Sequence, residues 1–520
     1  MVPRPAPQSA TPPLIPEYFA GREVLITGAT GFMGKVLVER LLWTCPDIAR
    51  LHLLMRHKKD CAPDKRLALL KQSQVFDVVR EQCPQQLDKL CVLPGDVTKP
   101  GFGLDQVALH QLNQVSVVFH SAATLKFDEP LAAAAEQNVR PVLTLMDICD
   151  QLANVQVFIH VSTAYSNAEL CAVEERVYAA PLAPRRLLAL VDALPPALLQ
   201  EITPRLIAPK PNTYTFTKAV AESAVSERAP AAHYACAIFR PSIVVSSLRH
   251  PFPGWIENLN GPSGVVAGAG KGLLRVLRCA ARRRADMMPV DMAIDTLIAV
   301  AWETGVDDTR EARVYQCASS AHAATWGQFR ARMLRLVRAH PFDGALWYPW
   351  GVICENTVIQ KALETVLQTA PLCLAHCVLK ACGLKQKPSL WTACKRLQAM
   401  NQALQFFATR HWEFGTARVQ RLAARLHAED TLRYNLRPET IDWEQHCVDF
   451  VKGTRRYLLR ERDSDIPAAR RRMKLLTVVH NATLLFAIFI MCRFTVRTAP
   501  AILRGIAVLT RLRNKTALAS

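Results

Sequence analysis

Acid is in short supply in this 520-residue chain: 44 Asp and Glu stand against 64 Lys and Arg, a formal net charge of +20. That balance excludes an acidic solvating protein. It favours an anionic partner, whether nucleic acid, a phosphorylated ligand or an anionic membrane surface. No RNP signature, zinc-finger spacing or helix-turn-helix accompanies the charge, so no nucleic-acid partner is expected. There is no internal repeat and no low-complexity tract. None of the 16 cysteines forms a C-x-x-C pair. They are scattered through apolar runs (Cys149, Cys236, Cys373, Cys377) and read as reduced, mostly buried thiols of a cytosol-facing protein, with no metal site. Met1–Pro16 holds six prolines and no long apolar run. It is therefore neither a signal peptide nor a transit helix, and reads as a short flexible arm over 1–16.

What the chain has is length and apolar content. At 520 residues, half of them apolar, two or three domains are expected. From Arg22 to about Val245, short apolar runs alternate with amphipathic helical stretches such as Gly34–Thr44. The runs are Glu23–Ile26, Arg50–Met55, Leu90–Leu93, Val115–Phe119, Val155–Val161 and Cys236–Phe239. Such alternation predicts an α/β fold with a doubly wound parallel sheet of the Rossmann type. Gly and Pro clusters between Ser246 and Trp326 predict substrate-side loops, so 17–325 reads as one NAD(P)-binding domain. Leu-, Arg- and Ala-rich helices over 326–461 predict a separate, mostly helical domain. Leu475–Cys492 is nearly all apolar and just long enough to cross a bilayer. Arg470–Arg472 and Lys474 precede it, and Arg493 and Arg497 follow it, so the flanks give no orientation. A further apolar stretch, Ala499–Thr510, would allow a hairpin within one leaflet instead of a span. The remainder, 493–520, reads as a basic tail.

The sharpest motif is Thr27-Gly28-Ala29-Thr30-Gly31-Phe32-Met33-Gly34, between a predicted strand and a predicted helix. Gly28 permits a tight turn, Gly31 a close backbone approach to a pyrophosphate, and Gly34 close packing of helix on sheet. The pyrophosphate then meets the positive end of the helix. NAD-preferring sites end the second strand with an acid, but here the strand runs into Arg56-His57-Lys58-Lys59. Arg56 suits a 2′-phosphate, which favours NADPH over NADH. Asp96, with Val97, follows the third strand and can accept from an adenine amino group. Ser121, Ala122 and Ala123 follow the fourth, where small side chains leave room for the nicotinamide-side ribose.

Tyr214 and Lys218 stand four apart, on one face of a helix. An ammonium there is expected to lower the phenol pKa and to reach the ribose, with Tyr214 as the proton donor. Ser162 and Thr163 end the fifth strand, where a hydroxyl can bind a substrate carbonyl oxygen. The residues thus predict a carbonyl reductase.

These motifs resemble the extended short-chain dehydrogenase/reductase superfamily, and more closely the alcohol-forming fatty acyl-CoA reductases of animals. The likeness runs from Ile15–Phe19 through the glycine motif, His120–Asp128 and Pro211–Lys218. It continues through Arg240–Ile243, Pro251–Trp255, Asn260–Pro262 and Pro289–Met292, then Phe406–Trp412, Ile441–Trp443, Gly453 and Tyr457–Leu459. The resemblance implies NADPH-dependent reduction of a long-chain acyl-CoA, through a bound aldehyde, to a primary alcohol. It implies Asn138 as the proton-relay residue, Pro241 and Ile243 beside the cofactor, and a terminal membrane segment. Lys271, Arg275 and Arg282–Arg284 are candidates for the CoA phosphates. Two positions depart from the family's pattern: Pro141 stands where glycine is usual, which is expected to kink the helix near Asn138, and Asp295 where asparagine is usual. A membrane-bound catalytic domain facing the cytosol is expected. The endoplasmic reticulum is preferred over peroxisome or lipid droplet, since Ala-Leu-Ala-Ser is not an S-K-L address. Other readings are a membrane-associated hydroxysteroid dehydrogenase or nucleotide-sugar enzyme, which would lack the Trp412 and Trp443 motifs, and a non-enzymatic NADP-binding scaffold, which would not need Tyr214 and Lys218. No oligomeric state is assigned.

Overall fold

The computed structural model describes residues 12–58, 61–383 and 389–517, with the side chains of 321 and 497–517 left aside. Most of the expected arm, and Lys59, fall outside that range. Residues 12–16 are not loose: the Trp302 indole donates to the Pro13 carbonyl (2.9 Å), and Ile15 N–H donates to Asp430 (2.9 Å). Ile15 and Phe19 of the short helix that follows are fully buried, so apolar packing pins what composition alone reads as flexible.

Seven strands form the central sheet: β1 (Glu23–Thr27), β2 (Arg50–Met55), β3 (Leu90–Pro94), β4 (Val115–His120), β5 (Val157–Val161), β6 (Ala235–Pro241) and β7 (Arg313–Cys317). Their order is β7-β6-β5-β4-β1-β2-β3, and every pairing is parallel. The order reverses between β1 and β4, which opens a crevice beyond their carboxyl ends. Strands β4, β5 and β6 are buried along their whole length, as continuous apolar runs in a parallel sheet should be.

The helices that matter here are α1 (Phe32–Thr44), α2 (Leu131–Asn138), α3 (Thr213–Arg228), α4 (Pro262–Gly270), α5 (Val290–Asp307), α6 (Thr357–Ala381, through a π-turn at Thr365–Thr369), α7 (Leu390–Thr409) and α8 (Ile466–Ala517). The segment expected to hold substrate-side loops also contains α5 and β7. Residues Val290–Thr304 of α5 are buried without interruption. A helix buried on every side has no solvent-facing stripe, and so no clear amphipathic period for a sequence reading to detect.

The helical segment is not a separate body. Val419, Leu422, Tyr434 and Ile441 belong to the same apolar core as β1, α1 and α5. Two short parallel pairings stitch it down: Val352–Cys354 on Val276–Arg278, and Glu413–Phe414 on Ala172–Val173. The reason is area: the outer face of α5 needs cover, and the helices over 417–441 supply it. The hairpin alternative at the C-terminus is also replaced. One unbroken helix carries both apolar stretches, because residues 493–498 contain no turn-forming residue. Among the described residues two helices are long and apolar enough to cross a membrane, Thr357–Ala381 and Asp463–Val496. The first went unnoticed in the sequence because polar residues interrupt it.

Candidate active site

The glycine loop is built to exclude side chains. Gly28 has φ +77°, and a Cβ there would meet the Ala122 nitrogen at 2.7 Å. A Cβ on Gly34 would meet the Gly28 carbonyl oxygen at 2.2 Å, so this position tolerates no larger residue. Gly31 caps α1 with no side chain, and the first turn holds no acid. The orphan N–H groups at this positive helix end are left for an anion. Thr30, Phe32 and Met33 line the cavity beside them, and Phe32 stacks on Trp255 (5.2 Å, 14°).

Thr27 stands behind the cavity wall and is not among the residues that line it. It is fully buried, its hydroxyl pairs with His120 Nδ1 (2.8 Å), and it accepts from the Ala122 N–H (3.2 Å). It thereby ties the ends of β1 and β4 together and sets Ser121, Ala122 and Ala123 on the cavity wall. His120 stacks on His160 (5.6 Å). Burial, aided by the Lys218 charge, drives His120 down to about 3 and His160 well below the usual imidazole range, so both are neutral.

The cationic end has a second member. Arg56 lies half-exposed on the rim, 3.9 Å from Asp96 Oδ2. Arg66 donates to the Arg56 carbonyl (2.6 Å) and to Thr30 Oγ1 (3.1 Å), which joins it to the glycine loop. Burial and the neighbouring Arg56 charge lower its pKa. The sequence reading missed Arg66 because it sits ten residues on, in a helix of its own; its packing signal is visible only in three dimensions. Asp96 uses Oδ1 on the Thr98 N–H and hydroxyl (3.0 and 2.9 Å), which fixes the carboxylate at the rim beside Val97. Two arginines on the rim, an uncapped helix end and glycines that leave no room for side chains all fit a dinucleotide.

Asn212 caps α3 by accepting from Thr215 N–H (2.9 Å), which orients the first turn and Tyr214 with it. The Tyr214 ring lies against Phe127 (5.4 Å), which lies against Phe407 of α7 (5.3 Å). Burial pushes the phenol up to about 12, and a hydrogen bond with Thr163 offsets part of that rise. The expected lowering by Lys218 does not occur. Lys218 Nζ instead donates to the Val161 carbonyl (2.8 Å), and burial brings its pKa down to about 8.

The two strand-end hydroxyls part company. Thr163 partners Tyr214, but Ser162 donates to Glu222, which is buried and paired with Arg240 (2.6 Å). Ser162 thus lines the cavity with its hydroxyl engaged by a buried ion pair, and Thr163 is the hydroxyl that meets Tyr214. Arg240 also donates to the carbonyls of Glu174 and Arg176 (3.1 and 3.0 Å), holding the segment beside Tyr165. Glu222 escaped the sequence reading because nothing local distinguishes it from a surface helix glutamate. Asn138 accepts from Thr124 N–H (2.9 Å) and donates to Thr217 Oγ1 (3.0 Å). It thus grips α3 one residue before Lys218, without reaching Lys218 itself. The helix breaks at Val139, where the next one starts with Pro141 in its first turn. Proline is accommodated at that position, since the first N–H groups have no helical partner.

A cavity of about 1490 Å³ runs from Gly28 and Asp96 past Thr163 and Tyr214, with Pro241 and Ile243 on one wall, to α4 and α7. Leu397, Met400 and Phe407 close its far side. Of the cations considered for CoA, Lys271 is engaged by Glu461 (2.6 Å) and Arg275 by the Leu367 carbonyl (3.0 Å). Both are held as structural ties. Arg282–Arg284 are exposed, and Arg396 lies on the cavity lining. The other departure, Asp295, is explained by the buried Arg40, 2.8 Å away, and by the Asn435 N–H (2.9 Å). It is remote from Tyr214 and braces α5 on α1. Among the described residues no cluster of three or more metal-ligating side chains occurs. The cysteines are free thiols; Cys171, Cys377, Cys382 and Cys492 are exposed, which is less burial than their sequence settings suggest.

The family described as male sterility protein matches twice, over residues 26–297 by its NAD-binding part and over 367–461 by its Sterile part. The chain is 34% identical to fatty acyl-CoA reductase 1 of Gallus gallus over 490 residues, 94% of each protein. It is equally similar, at the same coverage, to fatty acyl-CoA reductase 1 of Homo sapiens, and 34% identical to fatty acyl-CoA reductase 2 of Bos taurus over 90% of each. Among solved structures it resembles the reductase domain of a nonribosomal peptide synthetase from Mycobacterium tuberculosis, with TM-score 0.56, 18% identity, and 85% and 92% of the two chains covered. It also resembles the terminal reductase domain of the myxalamid pathway, with TM-score 0.54 and 16% identity over 85% and 93%. These two likenesses concern the fold.

Proposed function

The chain belongs to the fatty acyl-CoA reductases, and we propose that it uses NADPH to reduce a long-chain acyl-CoA to the primary alcohol, with Tyr214 as proton donor. The observation that carries this reading is the single cavity joining the glycine loop, the Thr163–Tyr214 pair and the apolar gap between α4 and α7. NADPH, when bound, supplies hydride. Gly28, Gly31 and Gly34 make room for its pyrophosphate, the α1 N-terminus faces it, and Arg56 with Arg66 meets the 2′-phosphate. Lys218 is positioned for the ribose.

Thr163 and Tyr214 hold the carbonyl oxygen between two hydroxyls. A phenol pushed up to about 12 stays protonated at neutral pH, which is the state that reduction needs. It donates as negative charge develops on oxygen. Reduction of a thioester to an alcohol takes two hydrides and expels the CoA thiol between them, so the aldehyde must be held in the same cavity. The α4–α7 gap holds the acyl chain. Helix α8 anchors the protein in a membrane, with the catalytic body on the cytosolic side.

The test is incubation of the detergent-solubilised protein with NADPH and a panel of acyl-CoAs, with fatty alcohol measured by gas chromatography. Alcohol from long chains, with two NADPH consumed per alcohol, is the expected result. Intact NADPH binding with no alcohol from any chain length overturns the reading.

A further inference from the structure

Helix α6 is long and apolar, yet it cannot cross a bilayer. It follows Val352–Cys354, which is paired to Val276–Arg278, and it packs back along α7. Both ends are therefore held to the body. Its outer face is nevertheless bare: Val358, Ile359, Val366, Leu374 and Val378 are 53–77% exposed. In an unbroken helix these positions would spread around the axis. The π-turn at Thr365–Thr369 inserts an extra residue and turns the second half back by about 100°. That gathers Leu374 and Val378 onto the stripe begun by Ile359 and Val366. Lysines 361 and 380 stand near the two ends, and no acid is exposed between them.

The helix also shares a level with α8. His480 accepts from the Trp347 indole (3.2 Å), stacks on Tyr348 (5.0 Å) and meets Trp350 at a tilt (5.5 Å). This aromatic collar sits where α8 leaves the body, as expected of residues at a membrane–water boundary. Beyond it, Leu485, Phe486 and Phe489 are exposed. Arg275 lies over Trp347 (5.2 Å) and donates to the Leu367 carbonyl of α6 (3.0 Å). The collar and α6 are thus one rigid assembly. Trp391 is likewise exposed at the start of α7, with Lys395 over its ring (5.0 Å).

We infer that α6 is a second membrane contact, lying in the plane of the leaflet with its apolar stripe against lipid acyl chains. This rests on the reading of α8 as an anchor and goes beyond it. An anchor alone leaves the body free to swing, whereas α6 holds α7, and the cavity that α7 lines, against the bilayer surface. A sparingly soluble acyl chain can then pass between membrane and cavity without crossing water.

Photocrosslinking in the full chain tests this. Benzoylphenylalanine is placed in turn at Val366, Leu374, Phe489 and Val107, and the protein is reconstituted in phosphatidylcholine vesicles carrying a labelled acyl chain. Lipid adducts are expected at 366, 374 and 489, and none at Val107, an equally bare apolar residue (67% exposed) on the dinucleotide side. Adducts at 489 without adducts at 366 and 374 overturn the inference and leave the anchor standing. Failure at 489 as well brings down the anchor reading itself. Protein–protein adducts at 366 and 374 identify the stripe as a dimer face and also overturn the inference.

Discussion

The two ends of the cavity are made of different material. The dinucleotide end is made of backbone: at Gly28 and Gly34 the nearest atoms to an added Cβ are main-chain nitrogen and oxygen at 2.7 and 2.2 Å. The acyl end leans more on side chains: at Gly268 of α4 the nearest atom is Leu397 Cδ2, at 3.1 Å, and at Gly264 the Met400 sulfur (3.0 Å) stands behind the Leu259 carbonyl oxygen (2.4 Å). Backbone cannot move aside, while a leucine terminus can change rotamer. The cofactor end is therefore rigid and chemically specific, and the acyl end is adjustable. An enzyme for one cofactor and a class of chains of varying length needs that division.

The largest effect follows from carrying one substitution to both ends. Gly34→Ala should abolish NADPH binding in a nucleotide-fluorescence titration, because the turn and α1 must separate. Gly268→Ala should leave it unchanged and cost under about 1.5 kcal/mol of stability. Equal losses at both positions would erase the contrast. Next comes the seam between the ends. Tyr214→Phe should lower kcat/KM by roughly 10²–10⁴-fold with NADPH affinity intact, and a near-normal rate would remove the phenol from the chemistry. Arg66→Ala follows, with a loss of about 1.5–3 kcal/mol of NADPH binding, roughly ten- to a hundred-fold, and little loss of NADH. If both coenzymes weaken alike, Arg66 serves the glycine loop and not the 2′-phosphate.

The seam also has a pH signature. Lys218, brought down to about 8 by burial, is charged below that pH and neutral above it. If its ammonium holds the ribose, kcat/KM falls by about tenfold per unit above pH 8. Tyr214, up near 12, contributes no limb in the measurable range. Lys218→Arg should move the alkaline limb upward, and an unmoved limb assigns it to another group.

The same division governs what the sequence discloses. Glycine spacing between strand and helix is local, so the dinucleotide end, six of the seven strands of its sheet and the Tyr214–Lys218 pair are legible from the chain. Partnerships across the sequence are not. Ser162 and Thr163 are adjacent and chemically alike, yet one faces Glu222 sixty residues on and the other Tyr214. The surroundings of Arg66 and Thr27 are hidden for the same reason, since they depend on which hydroxyl or carbonyl lies opposite. Helix α5 is hidden by being buried on all sides, and β7 by its separation from the other strands.

The smallest effect tests the adjustable end most directly. Met400 lines the cavity from α7, and its sulfur lies 3.0 Å from where a Cβ on Gly264 would stand. The gap between α4 and α7 at this level is thus as wide as a flexible thioether allows. Met400→Phe stiffens and narrows it without touching the backbone-built end. The rate for the longest accepted acyl-CoA should fall a few-fold relative to a chain several methylenes shorter, on the order of 1 kcal/mol. NADPH affinity and the rate for the shorter chain should hold. A uniform fall across chain lengths would mean that the acyl chain leaves the cavity elsewhere, and that α7 shapes the aldehyde pocket and not the chain's path.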